Sequence, residues 1–73
     1  MEQNNLPWKA AGQKLRMLIK ENYGTQEEFA FQYGIDVRTV RRYLSQGIRK
    51  LDLLYELAIH FKIELTDFFK NDL

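Results

Sequence analysis

Apolar residues recur along the chain at spacings of three and four, which is typical of amphipathic α-helices. The first such stretch contains Trp8, Ala11, Leu15 and Leu18, and a proline stands in its first turn. We therefore predict one long first helix whose N-cap is Asn5 and whose apolar side, Trp8 included, packs in the core.

Glycines and capping residues divide the following stretch into a second, shorter helix. Gly24 is the left-handed residue expected at the end of the first helix, and Thr25 with Glu28 is predicted to form a capping box. Gly34 then ends the second helix, which is predicted to cover about residues 26–33.

The third predicted helix begins after Asp36 as N-cap, covers about residues 37–45 and is closed by Gly47. Its predicted buried side is apolar and consists of Val37, Val40, Tyr43 and Leu44. The opposite side of this helix is left to polar residues, which makes it strongly amphipathic.

The C-terminal part predicts a fourth helix and one further turn, for which Thr66 is the expected cap. The fourth helix is defined by the apolar positions Leu51, Leu54, Leu57, Ala58 and Phe61. Phe68 and Phe69 in the last turn are expected to be mostly core, and the alternative is that one of them forms a dimer contact together with Leu65 or Leu73. The predicted fold class is all-α, a compact five-helix bundle.

The length of 73 residues allows one small domain, predicted over 1–73 with an ordered core over about 7–70. Apolar residues make up 45% of the chain and charged residues 29%, which favours a packed core over disorder. Because so small a core is marginal, a homodimer is a reasonable expectation.

Several classes of function find no support in the composition. The chain has no cysteine, so disulfides, thiolate nucleophiles and sulfur-ligated zinc are excluded. His60 stands alone and is expected to be a surface residue, and Glu27 and Glu28 suit a helix start better than catalysis. We therefore expect no enzyme, no metal and no cofactor. The start of the chain does not resemble a signal peptide, and Leu53–Phe61 is too short to span a membrane, so a cytoplasmic location is expected.

The formal net charge of +1 hides an uneven distribution. Residues 37–50 carry five basic side chains and no acidic one, whereas residues 51–73 carry five acidic and two basic side chains. A basic block of this kind is either a solvated surface or a polyanion-binding surface.

The wheel of the third helix favours the second interpretation. At 100° per residue, Arg38, Arg41, Arg42 and Ser45 fall within an arc of about 100°, away from the apolar side. An α-helix fits the DNA major groove, and the guanidinium fork donates two hydrogen bonds to guanine or grips a phosphate.

A short helix, a tight turn and an arginine-bearing helix describe a helix-turn-helix. The segments that carry the pattern are Thr25–Ala30, Gly34–Asp36, Thr39–Val40, Gly47 and Leu54–Ala58, with Leu15, Arg16, Ile63, Leu65, Phe68 and Phe69 at the two ends. With these segments, about 55 residues of the chain resemble the phage-repressor and Cro-like (XRE-type) family of bacterial DNA-binding domains.

The resemblance implies a lambda-repressor-like bundle that binds a palindromic operator as a dimer. It implies base reading by Val37, Arg38 and Arg42, although valine reaches only a thymine methyl. It implies that the DNA backbone is contacted by Thr25, Gln26, Thr39 and Arg41. The arc of the third helix adds Ser45, and the charged loop after it adds Arg49 and Lys50 as possible phosphate contacts. Thr25 has helix capping as its competing role.

The chain departs from the family pattern at three places. Ile19 and Leu44 replace an arginine–glutamate ion pair, which leads to the hypothesis that the two apolar side chains touch. One extra residue precedes Gly47, so the end of the third helix is less certain, and Arg49 replaces a common proline. Phe31 either packs on the fourth helix or stays exposed.

The resulting prediction is a sequence-specific double-stranded DNA-binding transcriptional regulator, most simply a homodimeric repressor in the bacterial cytoplasm or nucleoid. The alternative is a protein-interaction module that keeps the bundle but uses the third helix or the aromatic C-terminus on another protein. Steep weakening of binding by salt distinguishes DNA binding from that alternative.

Overall fold

The computed structural model describes residues 7–70, which form four α-helices, one short 3-10 helix and no strand. The α-helices are α1 (Trp8–Asn22), α2 (Gln26–Tyr33), α3 (Val37–Gln46) and α4 (Leu51–Phe61). The C-terminal 3-10 helix covers Leu65–Phe69. The all-α class is thus confirmed, but the fifth predicted helix is a 3-10 helix of only five residues, so the α-helices number four.

The boundaries of α2 and α3 follow from their caps. The Thr25 hydroxyl accepts a hydrogen bond from the Glu28 N–H at 3.1 Å, and Gly34 adopts the left-handed conformation, with φ of 88°, at the other end of α2. Asp36 accepts from the Arg38 N–H at 3.2 Å at the start of α3. The Glu28 carboxylate accepts from the Gln32 side chain at 2.6 Å, so the structure shows one half of the predicted capping box.

The cap of the C-terminal 3-10 helix was predicted wrongly. Glu64, and not Thr66, occupies the N-cap position, and its N–H donates to the Asp67 carboxylate at 3.1 Å. Lys70 lies 3.0 Å from the same carboxylate. The hydrogen bond from Lys70, and then that from the Glu64 N–H, lowers the pKa of Asp67 from its ordinary value.

The core is apolar throughout, and no polar or charged residue of the described part is buried. Its buried members are Ala11, Leu15, Leu18, Ile19, Phe29, Ala30, Val40, Leu44, Ile48, Leu54, Leu57, Ala58 and Phe68. The helix α1 is central because it packs against α3, the C-terminal 3-10 helix and α2. Ile19 and Leu44 belong to this one cluster, and their direct contact stays a prediction.

Close backbone approach holds α3 against α1. A Cβ on Gly12 would lie 2.5 Å from the Tyr43 carbonyl oxygen, and one on Gly47 would lie 2.6 Å from the Trp8 carbonyl oxygen. Gly47 also has a φ of 93°, in the region that favours glycine. These two close approaches, with the buried side chains of Val40 and Leu44, place α3 against α1.

The structure places several predicted apolar residues. Leu51, one of the apolar positions that define the fourth helix, is 48% exposed, and Phe31 is 82% exposed, which is the second of its two alternatives. Trp8 is half-buried with its ring edge-on to Phe69 at 5.8 Å. Phe68 is fully buried, as expected for the core. Pro7 occupies the N-cap position of α1, so the prediction of Asn5 as its cap was wrong. Asn5 itself and Leu73, named for the alternative dimer contact, lie outside the described residues.

Candidate nucleic-acid interface

The side of α3 that faces away from the core carries three arginines. Arg38, Arg41 and Arg42 are all exposed, whereas Val40 and Leu44 on the opposite side are buried. Ser45 is exposed in the last turn of the helix, and its hydroxyl donates to the Arg42 carbonyl at 3.3 Å. We call Arg38, Arg41, Arg42 and Ser45 the arginine face.

The three guanidinium groups differ in the contacts that they already make within the domain. Arg41 donates to the Glu27 carboxylate at 2.7 Å, and both side chains are more than half exposed. The Arg42 guanidinium lies 6.0 Å from the Tyr43 ring, at the limit of a cation–π contact. In the part of the chain that the structure describes, the Arg38 guanidinium has no ion-pair partner. Arg38 is therefore the arginine most available to a ligand.

The other predicted base-reading residue is less accessible. Val37 is half-buried and packs against the core cluster, so only part of its side chain is presented outward. Thr39 is also half-buried. Arg49 and Lys50 are exposed in the loop between α3 and α4, and Lys50 immediately precedes α4.

The start of α2 lies beside α3, as the ion pair between Glu27 and Arg41 shows. Thr25 is exposed and acts as the helix cap, while Gln26 is half-buried. The first N–H groups of a helix lack intrahelical partners and can donate to an anion, and in α2 they share the first turn with the carboxylates of Glu27 and Glu28. Only the N–H of Glu28 is taken by the Thr25 hydroxyl.

A groove next to this helix end brings in two cations that the sequence analysis missed. It is lined by Arg16, Ile19, Lys20, Gly24, Thr25, Gln26 and Glu27. Arg16 and Lys20 are exposed, four residues apart on α1, and have no ion-pair partner among residues 7–70. Their spacing was a readable signal of a shared helix side. Together with the start of α2 they can hold phosphate oxygens.

His60 lies among aromatic rings that join α4 to α2 and to the end of α1. Its Nε2 is 2.6 Å from the Tyr23 hydroxyl, and its ring is edge-on to Tyr33 at 4.9 Å. Burial, with a smaller effect of Glu56, raises the pKa of Tyr33 above its ordinary value. His60 is exposed, as predicted, and its partner is a tyrosine of the fold.

The described residues contain no group of three or more His, Cys, Asp or Glu side chains that could hold a metal ion. Within the same residues, no helix has the length and apolar character needed to cross a membrane. No protein-family model, curated protein or solved structure matches this chain.

Proposed function

We propose that the protein is a sequence-specific double-stranded DNA-binding regulator of transcription, of the phage-repressor and Cro-like kind. In this proposal α2 and α3 act as a helix-turn-helix, and the short C-terminal 3-10 helix takes the place of a fifth helix. The observation that carries the proposal is the arginine face, which is exposed on α3 while the opposite side of that helix is buried.

In the proposed complex, α3 enters the major groove and its arginines meet base edges. Arg38 and Arg42 donate to guanine O6 and N7, since a planar fork matches these two acceptors. Val37 contributes a smaller apolar contact to a thymine methyl because it is half-buried. Arg38 and Arg42 therefore supply most of the base discrimination in the proposed complex.

Phosphates on both sides of the groove position the domain. Gln26 and Thr25 at the start of α2 contact one strand, assisted by Arg16 and Lys20 across the adjoining groove. Arg41 pairs with Glu27 at the boundary between α2 and α3, and in the complex it exchanges this carboxylate for the sugar-phosphate backbone, which Thr39 also contacts. Ser45, Arg49 and Lys50 extend the contact beyond the end of α3.

The proposed regulator works by binding alone, without catalysis, cofactor or metal. Its proposed location is the bacterial cytoplasm or nucleoid. A homodimer would place two α3 helices about one helical turn of DNA apart and so read an inverted repeat. Occupation of such an operator within a promoter gives repression by exclusion of the transcription machinery.

The direct test is selection of bound duplexes from a random library of about 30 base pairs, long enough for two half-sites. We expect recovery of an inverted repeat. A variant with Arg38→Ala, Arg41→Ala and Arg42→Ala is the control and should recover no motif, because all three side chains are exposed and their loss leaves the core intact. Recovery of no DNA by the unaltered protein would contradict the proposal.

The alternative is a protein-interaction module. Exposed apolar side chains are the observation that supports it. Phe31 is 82% exposed and three further large apolar residues are exposed on α4. DNA binding weakens with salt by roughly 0.9 in log–log slope for each phosphate neutralised, whereas apolar docking is far less sensitive. A salt titration of any complex therefore separates the two functions.

A further inference from the structure

The outer side of α4 carries a stripe of apolar side chains, which we call the α4 stripe. Leu51, Tyr55 and Ile59 form it, and they are 48%, 58% and 60% exposed. Their four-residue spacing keeps them within roughly 80° of the helix wheel and spreads them over about 12 Å of helix. Three of the five exposed large apolar residues in the described part are thus aligned on one helix. Aligned exposure of this kind marks an interaction surface.

The α4 stripe has two different borders. On one side it meets the buried residues Leu54 and Ala58, so the domain itself forms that border. On the other side stand Asp52 and Glu56, about 20° and 60° further round the helix than Ile59. Neither carboxylate has an ion-pair partner within residues 7–70. The solvent-side border is therefore acidic.

We infer that the α4 stripe docks an amphipathic helix of a second protein that carries lysine or arginine along one edge of its apolar face. Helices bind such surfaces through anchors spaced i, i+4 and i+7, which match the two turns available here. The central Tyr55 is the kind of residue that dominates helix docking. Asp52 and Glu56 supply the charge complement that selects a basic edge and sets its direction.

A second copy of this chain is a poorer occupant for reasons of charge. If two α4 helices pair antiparallel about a two-fold axis, the acidic border of one stripe lies beside the acidic border of the other. Asp52 and Glu56 of one copy would then lie beside the same acids of the other, and such like-charge juxtaposition disfavours the complex. The acidic border thus points to a basic partner helix.

This inference does not rest on the proposed DNA binding. The α4 stripe and the arginine face are on different helices, and α3 packs against α1 and α2 while α4 packs against the C-terminal 3-10 helix. Lys50, a proposed phosphate contact, adjoins Leu51 at the start of the α4 stripe, whereas Tyr55 and Ile59 lie one and two turns further along α4. Loss of either activity can therefore be observed without loss of the other.

The test is selection against the intact protein from a displayed library of peptides of about 18 residues, randomised at every position. We expect enriched peptides with apolar anchors at i, i+4 and i+7 and an excess of Lys and Arg. Tyr55→Ala should weaken their binding by about tenfold or more. Asp52→Lys with Glu56→Lys should reverse the charge preference, and Phe31→Ala on α2 should leave binding unchanged.

The same experiment can overturn the inference. The inference is contradicted if the enriched peptides are acidic or uncharged, or if their binding is insensitive to Tyr55→Ala. Absence of any enrichment would contradict it as well. A wild-type dimer that Tyr55→Ala converts to a monomer in sedimentation would assign the stripe to a second copy instead. Circular dichroism checks that each variant is folded, and Ile59→Ser replaces Tyr55→Ala if that variant is not.

Discussion

The helices α3 and α4 have nearly the same length, ten and eleven residues, yet they expose opposite kinds of surface. Each buries one apolar side in the common core. The outward side of α3 holds three arginines, and the outward side of α4 holds the stripe centred on Tyr55. The buried sides explain the fold, whereas the exposed sides carry the two proposals, duplex DNA for α3 and a basic-edged amphipathic helix for α4.

The two helices are also held in different ways. Glycine contacts bring the backbone of α3 against α1, with Gly12 and Gly47 at the closest points. Side chains anchor α4, through the buried Leu54 and Leu57 and through His60, which meets Tyr23 at 2.6 Å. Close backbone approach leaves little space between α1 and α3, which suits the proposed entry of α3 into the major groove in one orientation.

The largest expected effect comes from Gly12→Ala, which breaks the backbone approach of α1 and α3. The new Cβ would meet the Tyr43 carbonyl oxygen at 2.5 Å, so the free energy of unfolding should fall by about 3 kcal/mol. Urea unfolding measures this change. Gln13→Ala, at an exposed position of the same helix, is the control and should stay within about 0.5 kcal/mol. If Gly12→Ala instead stabilises the protein, as replacement of glycine by alanine does at exposed helix positions, then α1 and α3 are further apart than described.

The next effect separates the two surfaces by function. Arg38→Ala and Arg42→Ala should each cost about 1–3 kcal/mol in binding to the selected operator, since each removes a two-bond base contact. Tyr55→Ala should leave that affinity unchanged because it alters only the α4 stripe. Fluorescence anisotropy with labelled duplex gives all three values. Equal affinity of the two arginine variants and the unaltered protein would remove α3 from the interface.

A smaller effect sharpens the assignment of Arg41. Glu27→Gln removes the acid that pairs with Arg41 at 2.7 Å and should change stability by less than about 1 kcal/mol, since both side chains are largely exposed. Operator affinity should rise a few-fold because a carboxylate near the phosphates is lost. Glu28→Gln is the matched control, as the Glu28 carboxylate binds Gln32 instead. Weaker binding by Glu27→Gln would mean that the pair positions Arg41 for its contact.

The smallest effect concerns the aromatic cluster that anchors α4. Burial and Glu56 raise the pKa of Tyr33 above 10.0, so the folded state holds this proton more tightly than the unfolded state. The resulting stability is complete below the ordinary pKa and is lost as the pH rises through the raised pKa. Urea unfolding at several alkaline pH values should show this loss, and Tyr33→Phe should reduce it. An unchanged pH dependence in Tyr33→Phe would contradict the assignment.

Local signals in the sequence were sufficient for the boundaries near the proposed interface. The predicted range of 26–33 for the second helix matches α2, and the predicted end at 45 for the third helix is one residue short of Gln46. Thr25, Asp36 and Gly34 act within a few residues, so their patterns are legible without tertiary structure. The exposure of the arginines followed from the wheel of α3 alone.

Features that depend on distant residues were not predictable in this way. The pair of Arg41 with Glu27 joins positions 14 apart, and Tyr23 meets His60 across 37 residues. Leu51 fits the apolar positions of the fourth helix, yet it is 48% exposed because no element of the described residues covers it. Glu64 replaced Thr66 as a cap since Asp67 reaches back to its N–H. Contact of Ile19 with Leu44 remains a prediction.

The most direct test of the central claim is the salt dependence of binding to the selected operator, measured from about 50 to 200 mM salt. If α3 and the cations around it grip DNA, the log–log plot should fall steeply, with a slope of roughly 0.9 per phosphate neutralised. The double variant Arg16→Ala with Lys20→Ala should reduce that slope by nearly the contribution of two phosphates and should keep the sequence preference. A flat plot, or no binding at low salt, would contradict the assignment of the arginine face to DNA.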